Sequence, residues 1–169
     1  PVDPGAAVGL TVRPGTPEDD ERLGVFHERL SADTTYARFF TVHPHLSAKE
    51  VEWFTRVDHH DREALLAMEG DEIAGVARFD RMSDERAEAA FVVRDDWQNR
   101  GVGGLLVGLL MERARAEGIR HLVAQTLPGN MRMLAVLRHC GASEHSALRD
   151  GVIWVELDLE GTDGDPPER

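Results

Sequence analysis

Three glycines and an arginine lie between an apolar predicted strand and a long apolar predicted helix: Arg100, Gly101, Gly103 and Gly104, in the stretch QNRGVGGLL. The first amides of a helix are unpaired and carry a partial positive charge, which suits an anionic ligand. Glycines remove the side chains that would keep a large anion away, and they let successive N–H groups converge on one point. These residues therefore predict a cradle for a phosphate or a diphosphate, with Arg100 as a nearby positive charge.

Two common phosphate-binding patterns fit this stretch poorly. A P-loop ends in Gly-Lys-Ser/Thr, which is not found here. The dinucleotide fingerprint needs Gly-x-Gly-x-x-Gly inside an early βαβ unit, whereas these glycines stand at 101, 103 and 104, after the fourth predicted strand.

The strand before the glycines carries a candidate general base. Alternation along EAAFVV places Glu88, Ala90 and Val92 on one face. Because the neighbours are small or apolar, we expect Glu88 to be buried and its pKa to be raised, which helps it accept a proton from an ammonium group. The alternative is that Glu88 lies at a solvent-exposed end of the strand and contributes only to solubility. Glu85 is the second candidate for the base.

The pattern of apolar residues and turn signals predicts the order β-α-α-β-β-β-α-β-α-β-β, a mixed sheet with helices on its faces, of α/β or α+β class. The predicted helix face after the glycines consists of Val102, Leu105, Leu106, Leu109 and Leu110. Strands are predicted at 10–15, 62–70, 72–80, 88–93 and 121–127 and as a hairpin within 143–160, and helices from Thr16, from Ser47, at 102–118 and from Asn130 to Leu137.

The length of 169 residues suits one domain, and we expect a flexible segment at 1–9, a folded domain at 10–159 and a disordered tail at 160–169. The net charge of −12 argues against nucleic acid and anionic membranes as partners, and it suits a cationic one. An acidic surface that serves only solubility is the alternative. The lone Cys140 and the absence of an apolar leader or a long apolar span predict a cytoplasmic protein.

Other residues with possible chemistry give weaker signals. The pairs His43–His45 and His59–His60 lack a second ligand set, so no metal site is expected. Cys140 has no nucleophile arrangement around it and is expected to fill the core. The aromatic residues are expected to belong to the core, with the groove of the site as the alternative: Phe39, Phe40, Trp53 and Phe54.

The spacing Gln98-x-x-Gly101-x-Gly103, between a buried strand and a long helix, resembles the pyrophosphate loop of the GNAT superfamily of N-acetyltransferases. The segments LSADTTYARFF, EIAGVARFD, AEAAFVV, QNRGVGGLL and NMRML are similar to the acetyltransferase domain of bacterial protein lysine acetyltransferases. The resemblance covers nearly the whole chain. It implies a GNAT fold: a mixed, mostly antiparallel sheet of about seven strands flanked by about four helices, splayed between the fourth and fifth strands.

The resemblance also implies a site. Acetyl-CoA would be the co-substrate, without a metal, and an amine would attack it directly with Glu88 as base. Asn130 would contact the pantetheine or the adenylate side, or act as a plain helix N-cap, or do both. The residues implied in binding acetyl-CoA are Phe91, Val92 and Val93 at the thioester carbonyl, and Gln98, Asn99, Arg100, Gly101, Val102, Gly103, Gly104 and Asn130.

One position departs from many members of that superfamily. The short helix before Gly141 often carries a tyrosine that acts as general acid, but Leu137 stands there and the chain's only tyrosine is Tyr36. CoA thiolate is a good leaving group, so an acid is not required. His139 is expected to be a surface residue, with a CoA phosphate as its alternative contact.

The sequence thus predicts acetylation of a lysine side chain on a protein, such as an acyl-CoA synthetase. Acetylation of a small amine (an antibiotic or a polyamine) and a CoA-binding sensor without turnover are the alternatives. Relatives often carry a fused regulatory module, for which this chain is expected to have no room. The oligomeric state stays open.

Overall fold

A computed structural model describes residues 9–142 and 147–160 of the chain. The strands are β1 (Thr11–Pro14), β2 (Arg62–Glu69), β3 (Glu72–Arg81), β4 (Arg86–Val93), β5 (His121–Thr126), β6 (Ala147–Arg149) and β7 (Val152–Asp158). The helices are α1 (Asp20–Glu28), α2 (Ala32–Phe39), α3 (Ala48–Thr55), α4 (Val102–Ala116) and α5 (Met131–His139). Short 3-10 turns span Pro17–Asp19 and Asp95–Trp97.

The strands form one seven-stranded sheet in the order β1-β2-β3-β4-β5-β7-β6. The β4–β5 pair is parallel, and the other neighbouring pairs are antiparallel. The mixed, mostly antiparallel sheet expected from the sequence is thereby confirmed. Residues 1–8, 143–146 and 161–169 lie outside the described residues, and with them most of the predicted flexible ends and part of the predicted last hairpin.

Helix α2 was not predicted, so the described chain has five helices instead of about four. Its sequence ADTTYARF is short and has few apolar residues, and its buried residue is the polar Thr35. Polar contacts fix its start instead. The side chain of Ser31 accepts a hydrogen bond from the Thr34 amide, and the Asp95 carboxylate accepts from the Ser31 amide at 2.9 Å and from the Thr34 hydroxyl at 2.9 Å. Asp95 is 64 residues from Ser31 in the sequence. The local sequence therefore contained only one sign of this helix, the N-cap serine.

Helix α4 packs on one face of the sheet and covers the inward residues of β4: Ala87, Ala89 and Phe91. Its buried face consists of Val102, Leu106, Val107, Leu110, Met111 and Ala114, whereas the predicted Leu105 and Leu109 are only partly buried. The contact with β3 is close at Gly75, where a Cβ would lie 2.9 Å from Cδ1 of Leu106. Helices α1, α2 and α3 lie on the opposite face, which carries Glu88, Ala90 and Val92.

The predicted turn at Asp150-Gly151 is confirmed, and both residues have positive φ angles, 52° and 80°. Two such residues in a row are the signature of a tight hairpin turn whose twist matches that of the strands. None of the helices in the two described stretches of chain is long and apolar enough to cross a membrane.

Candidate active site

The sheet opens into a fork between β4 and β5. Their parallel pairing runs from Arg86–His121 to Ala89–Ala124 and stops there, although β3 stays paired with β4 as far as Val93. Strand β5 continues to Thr126 through its pairing with β7. The predicted carbonyl-binding residues Phe91, Val92 and Val93 therefore lie in the stretch of β4 that has no β5 partner among the described residues.

The loop after the fork leads directly into α4. Asn99 and Gly101 have φ angles of 59° and 84°, and Gly101 is the N-cap of the helix. The first helical hydrogen bond runs from the Leu105 amide to the Gly101 carbonyl. Since Gly101 offers no capping side chain, the amides of the first turn point out of the helix end unpaired, as an anion requires.

The space in front of this helix end is open. A Cβ at Gly104 would have no heavy atom within 4 Å, and one at Gly103 would meet only Val136, at 3.7 Å. Glycine inside a helix is less favourable than alanine by about 0.5–1 kcal/mol. At Gly103 and Gly104 no neighbouring group is close enough to exclude an alanine side chain. The two glycines therefore leave room for a ligand, which is consistent with the predicted phosphate cradle.

Other predicted loop residues hold the loop in place. The side chain of Gln98 donates to the Val93 carbonyl at 3.0 Å and to the Thr34 hydroxyl at 3.1 Å, and it accepts from Arg132 at 2.7 Å. The guanidinium group of Arg100 is exposed and stacks 3.8 Å above the ring of the buried Trp97. Thus the loop is tied to β4, α2 and α5 while its positive charge stays at the surface.

Asn130 caps α5, as the sequence predicted. Its side-chain oxygen accepts a hydrogen bond from the Met133 amide at 3.2 Å. Helix α5 touches α4 through Val136 and Gly103, so Asn130 begins a helix that borders the cradle. Its contact with a bound ligand stays a prediction.

Glu88 lies at the base of the fork, one residue before the pairing with β5 ends. It faces Asp80 on β3 and Val123 on β5, and its carboxylate is 3.5 Å from the side-chain nitrogen of Gln125. The expectation that Glu88 is buried is wrong: it is partly exposed, on the same face of β4 as Ala90 and Val92 and next to the cleft that those two residues line. Glu85, the second candidate, is exposed just before the start of β4, away from the fork, and pairs with Arg120.

A narrow cleft of about 40 Å³ runs along this face, between the sheet and α1, α2 and α3. Its apolar wall includes Phe39, Leu46, Phe54, Val76, Ala90 and Val92. Two arginines also line it. Arg78 of β3 is 5 % exposed and donates to both oxygens of Asp80, at 2.9 and 3.1 Å, while Arg38 of α2 lies beside it.

Burial affects both guanidinium groups in this cleft. Burial lowers the pKa of Arg38 to about 10, with repulsion by Arg78 adding to the shift and Asp80 and Glu88 opposing it. Burial also lowers the pKa of Arg78, against the attraction of Asp80. The two rings of the cleft wall face these cations, Phe39 at 4.7 Å from Arg38 and Phe54 at 4.4 Å from Arg78.

The aromatic residues are thus distributed differently from the core expected for them. Phe39 and Phe54 line the cleft, Phe40 is partly buried, and Trp53 is 56 % exposed with Arg62 stacked on its ring at 3.6 Å. Sequence reasoning missed Arg38, Arg78 and Asp80. The available signal was Arg78, the one charged residue within the otherwise apolar stretch IAGVARF.

Comparison with known proteins decides the family. The acetyltransferase (GNAT) family matches residues 27–142 of the chain. The chain belongs to the GNAT acetyltransferase family. It is 32 % identical to acetyltransferase Pat of Mycolicibacterium smegmatis over 174 residues, covering 99 % of this chain and 51 % of that protein. The chain therefore spans about half the length of this curated relative.

Solved GNAT structures resemble the chain closely. The GNAT domain of S. lividans PAT superimposes with a TM-score of 0.85 at 39 % identity, covering 88 % of this chain and 90 % of that one. The cAMP-binding acyltransferase from Mycobacterium smegmatis gives 0.63 at 31 % identity, covering 94 % of this chain and 46 % of that one. The fork between β4 and β5 and the strand order are those of a splayed GNAT sheet, as expected from the sequence.

The position where the resemblance implies a tyrosine in many GNAT enzymes holds an apolar side chain in this chain. Leu137 is fully buried in the core and has no proton to give to a leaving group. Tyr36 and His139 are exposed. Cys140 is partly buried against the core, and burial raises the pKa of its thiol, which suits a packing role.

The four histidines of the two pairs considered as metal ligands (His43, His45, His59 and His60) each lie next to a carboxylate. His43 bonds to Glu50 at 2.8 Å, and His60 bonds to Glu117 at 2.6 Å. Within residues 9–142 and 147–160, no three His, Cys, Asp or Glu side chains are grouped to hold a metal ion.

Proposed function

We propose that the chain is an acetyl-CoA-dependent N-acetyltransferase that acts on the side-chain amine of a lysine in a protein substrate. Its membership of the GNAT family supports the acetyltransferase activity. The resemblance to bacterial protein lysine acetyltransferases supports the lysine, with an acyl-CoA synthetase as the first substrate to test. The folded elements run from Thr11 to Asp158, so we assign the activity to residues 10–159.

One observation carries the proposal. The uncapped, glycine-lined end of α4 and the open edge of β4 meet at the fork, and Glu88 lies at the base of that fork. A diphosphate at Gly101–Gly104 would leave the pantetheine arm to run along the fork toward Glu88. Gly104 fits this use because the place of its absent Cβ is open.

The chemistry needs a neutral amine, a polarised carbonyl and a proton acceptor. Acetyl-CoA supplies the activated acetyl group. Main-chain N–H groups between Phe91 and Val93 would donate to its carbonyl oxygen, since β5 does not occupy them. Glu88 would take the proton of the acceptor ammonium, directly or through a water. The cleft lined by Val92 and Ala90 would exclude bulk water from the amine.

Labelled acetyl-CoA tests the substrate class. The protein is incubated with it and with a cell lysate that has been separated by filtration into proteins and small molecules, and products are identified by mass spectrometry. We expect labelled lysines in the protein fraction, and none with Glu88→Gln. Label confined to the small-molecule fraction would favour a small amine, and tight acetyl-CoA binding without any label would indicate a sensor.

The cysteine content of the chain bears on the cellular compartment in which the enzyme acts. The lone Cys140 leaves the chain without an internal disulfide, which suits a reducing cytoplasm, and we propose that the enzyme acts there. Immunodetection in separated cytoplasmic and envelope fractions tests this point.

A further inference from the structure

Arg78 has an unused hydrogen-bond donor inside the cleft. Its side chain is 5 % exposed, and its Nη2 donates to both oxygens of Asp80. Its Nη1 is fully buried and has no hydrogen-bond partner among the described residues. Buried polar groups of native proteins are almost always paired, and a buried guanidinium nitrogen without a partner points to one that arrives from outside.

The position of Arg78 relative to Glu88 follows from the strand register. Arg78 faces Ala90, and Asp80 faces Glu88, so all four residues lie on the same face of β3 and β4. Arg78 is therefore the diagonal neighbour of Glu88, a separation of about 7–8 Å between backbones. If the amine of a ligand lay at Glu88, the atoms a few bonds away from that amine would lie beside Arg78.

The charges around this end of the cleft are not balanced. Asp80 is shared, because Arg62 also donates to it at 2.8 Å. Arg38 has no carboxylate partner within hydrogen-bond distance among the described residues, and its guanidinium stacks on Phe39 instead. At this end of the cleft, three guanidinium groups (Arg38, Arg62 and Arg78) thus face two carboxylates (Asp80 and Glu88). The other carboxylate that lines the cleft, Asp19, is engaged by Arg13. The three guanidinium groups can therefore accept one further negative charge.

We propose that Arg78, assisted by Arg38, binds a carboxylate that the acceptor carries a few atoms from its reactive amine. A carboxylate carries a single negative charge, and its two oxygens match a guanidinium fork with two parallel hydrogen bonds. The apolar wall formed by Phe39, Phe54 and Val92 strengthens the pairing because it removes competing water. This proposal rests on the proposed function, since it assumes that an amine enters this cleft.

Two sources could supply such a carboxylate: an acidic residue next to the acceptor lysine, or the α-carboxylate of a free amino acid. Two matched substrate pairs distinguish them. The first is acetyl-Ala-Lys-Asp-Ala-amide against the same peptide with Asn in place of Asp. The second is free lysine against cadaverine, which differs from it only in lacking the carboxylate. Each is measured as kcat/KM with saturating acetyl-CoA, and as calorimetric affinity for the CoA complex.

We expect the member with the carboxylate to be preferred by about 10- to 100-fold in at least one pair, the value of a charge-assisted hydrogen bond. Arg78→Met should bring that preference close to one. Arg38→Met leaves the Arg78–Asp80 pair in place and should reduce the preference less. Arg120→Met removes an exposed guanidinium that pairs with Glu85 and Glu160 just before β5 and does not line the cleft, so the preference should stay unchanged. Acetyl-CoA affinity should be constant throughout.

Equal kcat/KM and equal affinity within both pairs for the native protein would overturn the proposal. The proposal would also be overturned if each of the two single variants, Arg78→Met and Arg38→Met, kept the full preference for the substrate with the carboxylate. A preference in calorimetry without acetylation of any amine would support the subsite and contradict the proposed function, so the two failures are separable.

Discussion

The side-chain oxygen of Gln98 and the guanidinium of Arg132 are joined by a hydrogen bond of 2.7 Å. This bond connects the loop before α4 with the first turn of α5, on the two sides of the predicted acetyl-CoA site. Gln98 also donates to Thr34 and to the Val93 carbonyl, so it is the side chain that fixes the loop to three elements.

Replacing Gln98 should therefore weaken donor binding without removing the cradle. We expect Gln98→Ala to raise the Kd for acetyl-CoA about 5- to 10-fold, since a net hydrogen bond is worth about 1 kcal/mol. Arg132→Met removes only one of these bonds and should have a smaller effect. Calorimetric titration of the three proteins measures this. An unchanged Kd in Gln98→Ala would show that the loop holds its shape through its backbone alone.

Removal of the carboxylate of Glu88 should affect chemistry and not donor binding. We expect Glu88→Gln to lower turnover by about 10²- to 10⁴-fold, the usual contribution of a general base, while the Kd for acetyl-CoA stays near that of the native protein. Glu85→Gln is the matched control and should retain native turnover, because Glu85 precedes β4, is exposed and pairs with Arg120. Native turnover in Glu88→Gln near neutral pH would remove Glu88 from the mechanism.

A carboxylate placed in the cradle should exclude the diphosphate. Gly104→Glu puts a negative charge in the open space at the start of α4, where it suits the helix dipole and so should not prevent folding. We expect acetyl-CoA binding to be lost. Gly108→Glu, one turn further along the same helix and also without neighbours around its Cβ position, should bind acetyl-CoA normally. Equal affinities for the two variants would place the diphosphate elsewhere.

The acid stability of the fold should depend on Asp19. Hydrogen bonds from Arg13, at 2.7 and 2.8 Å, lower the pKa of this carboxyl to about 2, against the opposing effect of burial. A lowered pKa stabilises the folded state fully above the unfolded value near 4, and that contribution is lost as the pH falls toward 2. The shift corresponds to about 2 kcal/mol at pH 7.

Urea unfolding measures this contribution. Asp19→Asn should be less stable than the native protein by about 2 kcal/mol at pH 7, and the difference should shrink between pH 4 and pH 2. Asp71→Asn serves as control, because that carboxylate is 99 % exposed. A difference between Asp19→Asn and the native protein that is the same at pH 7 and pH 2 would mean that Arg13 does not hold Asp19 ionised.

The donor half of the candidate site was predictable because it is local in sequence. The strand, Gly101, Gly103, Gly104 and the helix after them follow one another along the chain, and their physical roles can be derived from their order. The fork needed the family resemblance, since no pattern in β4 alone says where β5 leaves it.

The acceptor half was not predictable because it is assembled from distant segments. Arg38 reaches the cleft only because α2 lies over β4, and the start of α2 is fixed by Asp95, far along the chain. The partial exposure of Glu88 has the same origin. Its small neighbours predicted burial, but Glu88 lies beyond Ala90, where the cleft lining on β4 ends, and it is partly exposed.

The attachment of α2 to the loop before α4 couples the binding of the two substrates. Thr34 accepts a hydrogen bond from Gln98 and donates one to Asp95, so the helix that carries Arg38 and Phe39 is fastened to the segment that receives the donor. A donor that rigidifies residues 98–104 would also lower the entropy lost when an acceptor settles against α2, and linkage makes this benefit reciprocal. We therefore expect acetyl-CoA and the acceptor to bind cooperatively, with the Thr34 hydroxyl as the link between their two sites.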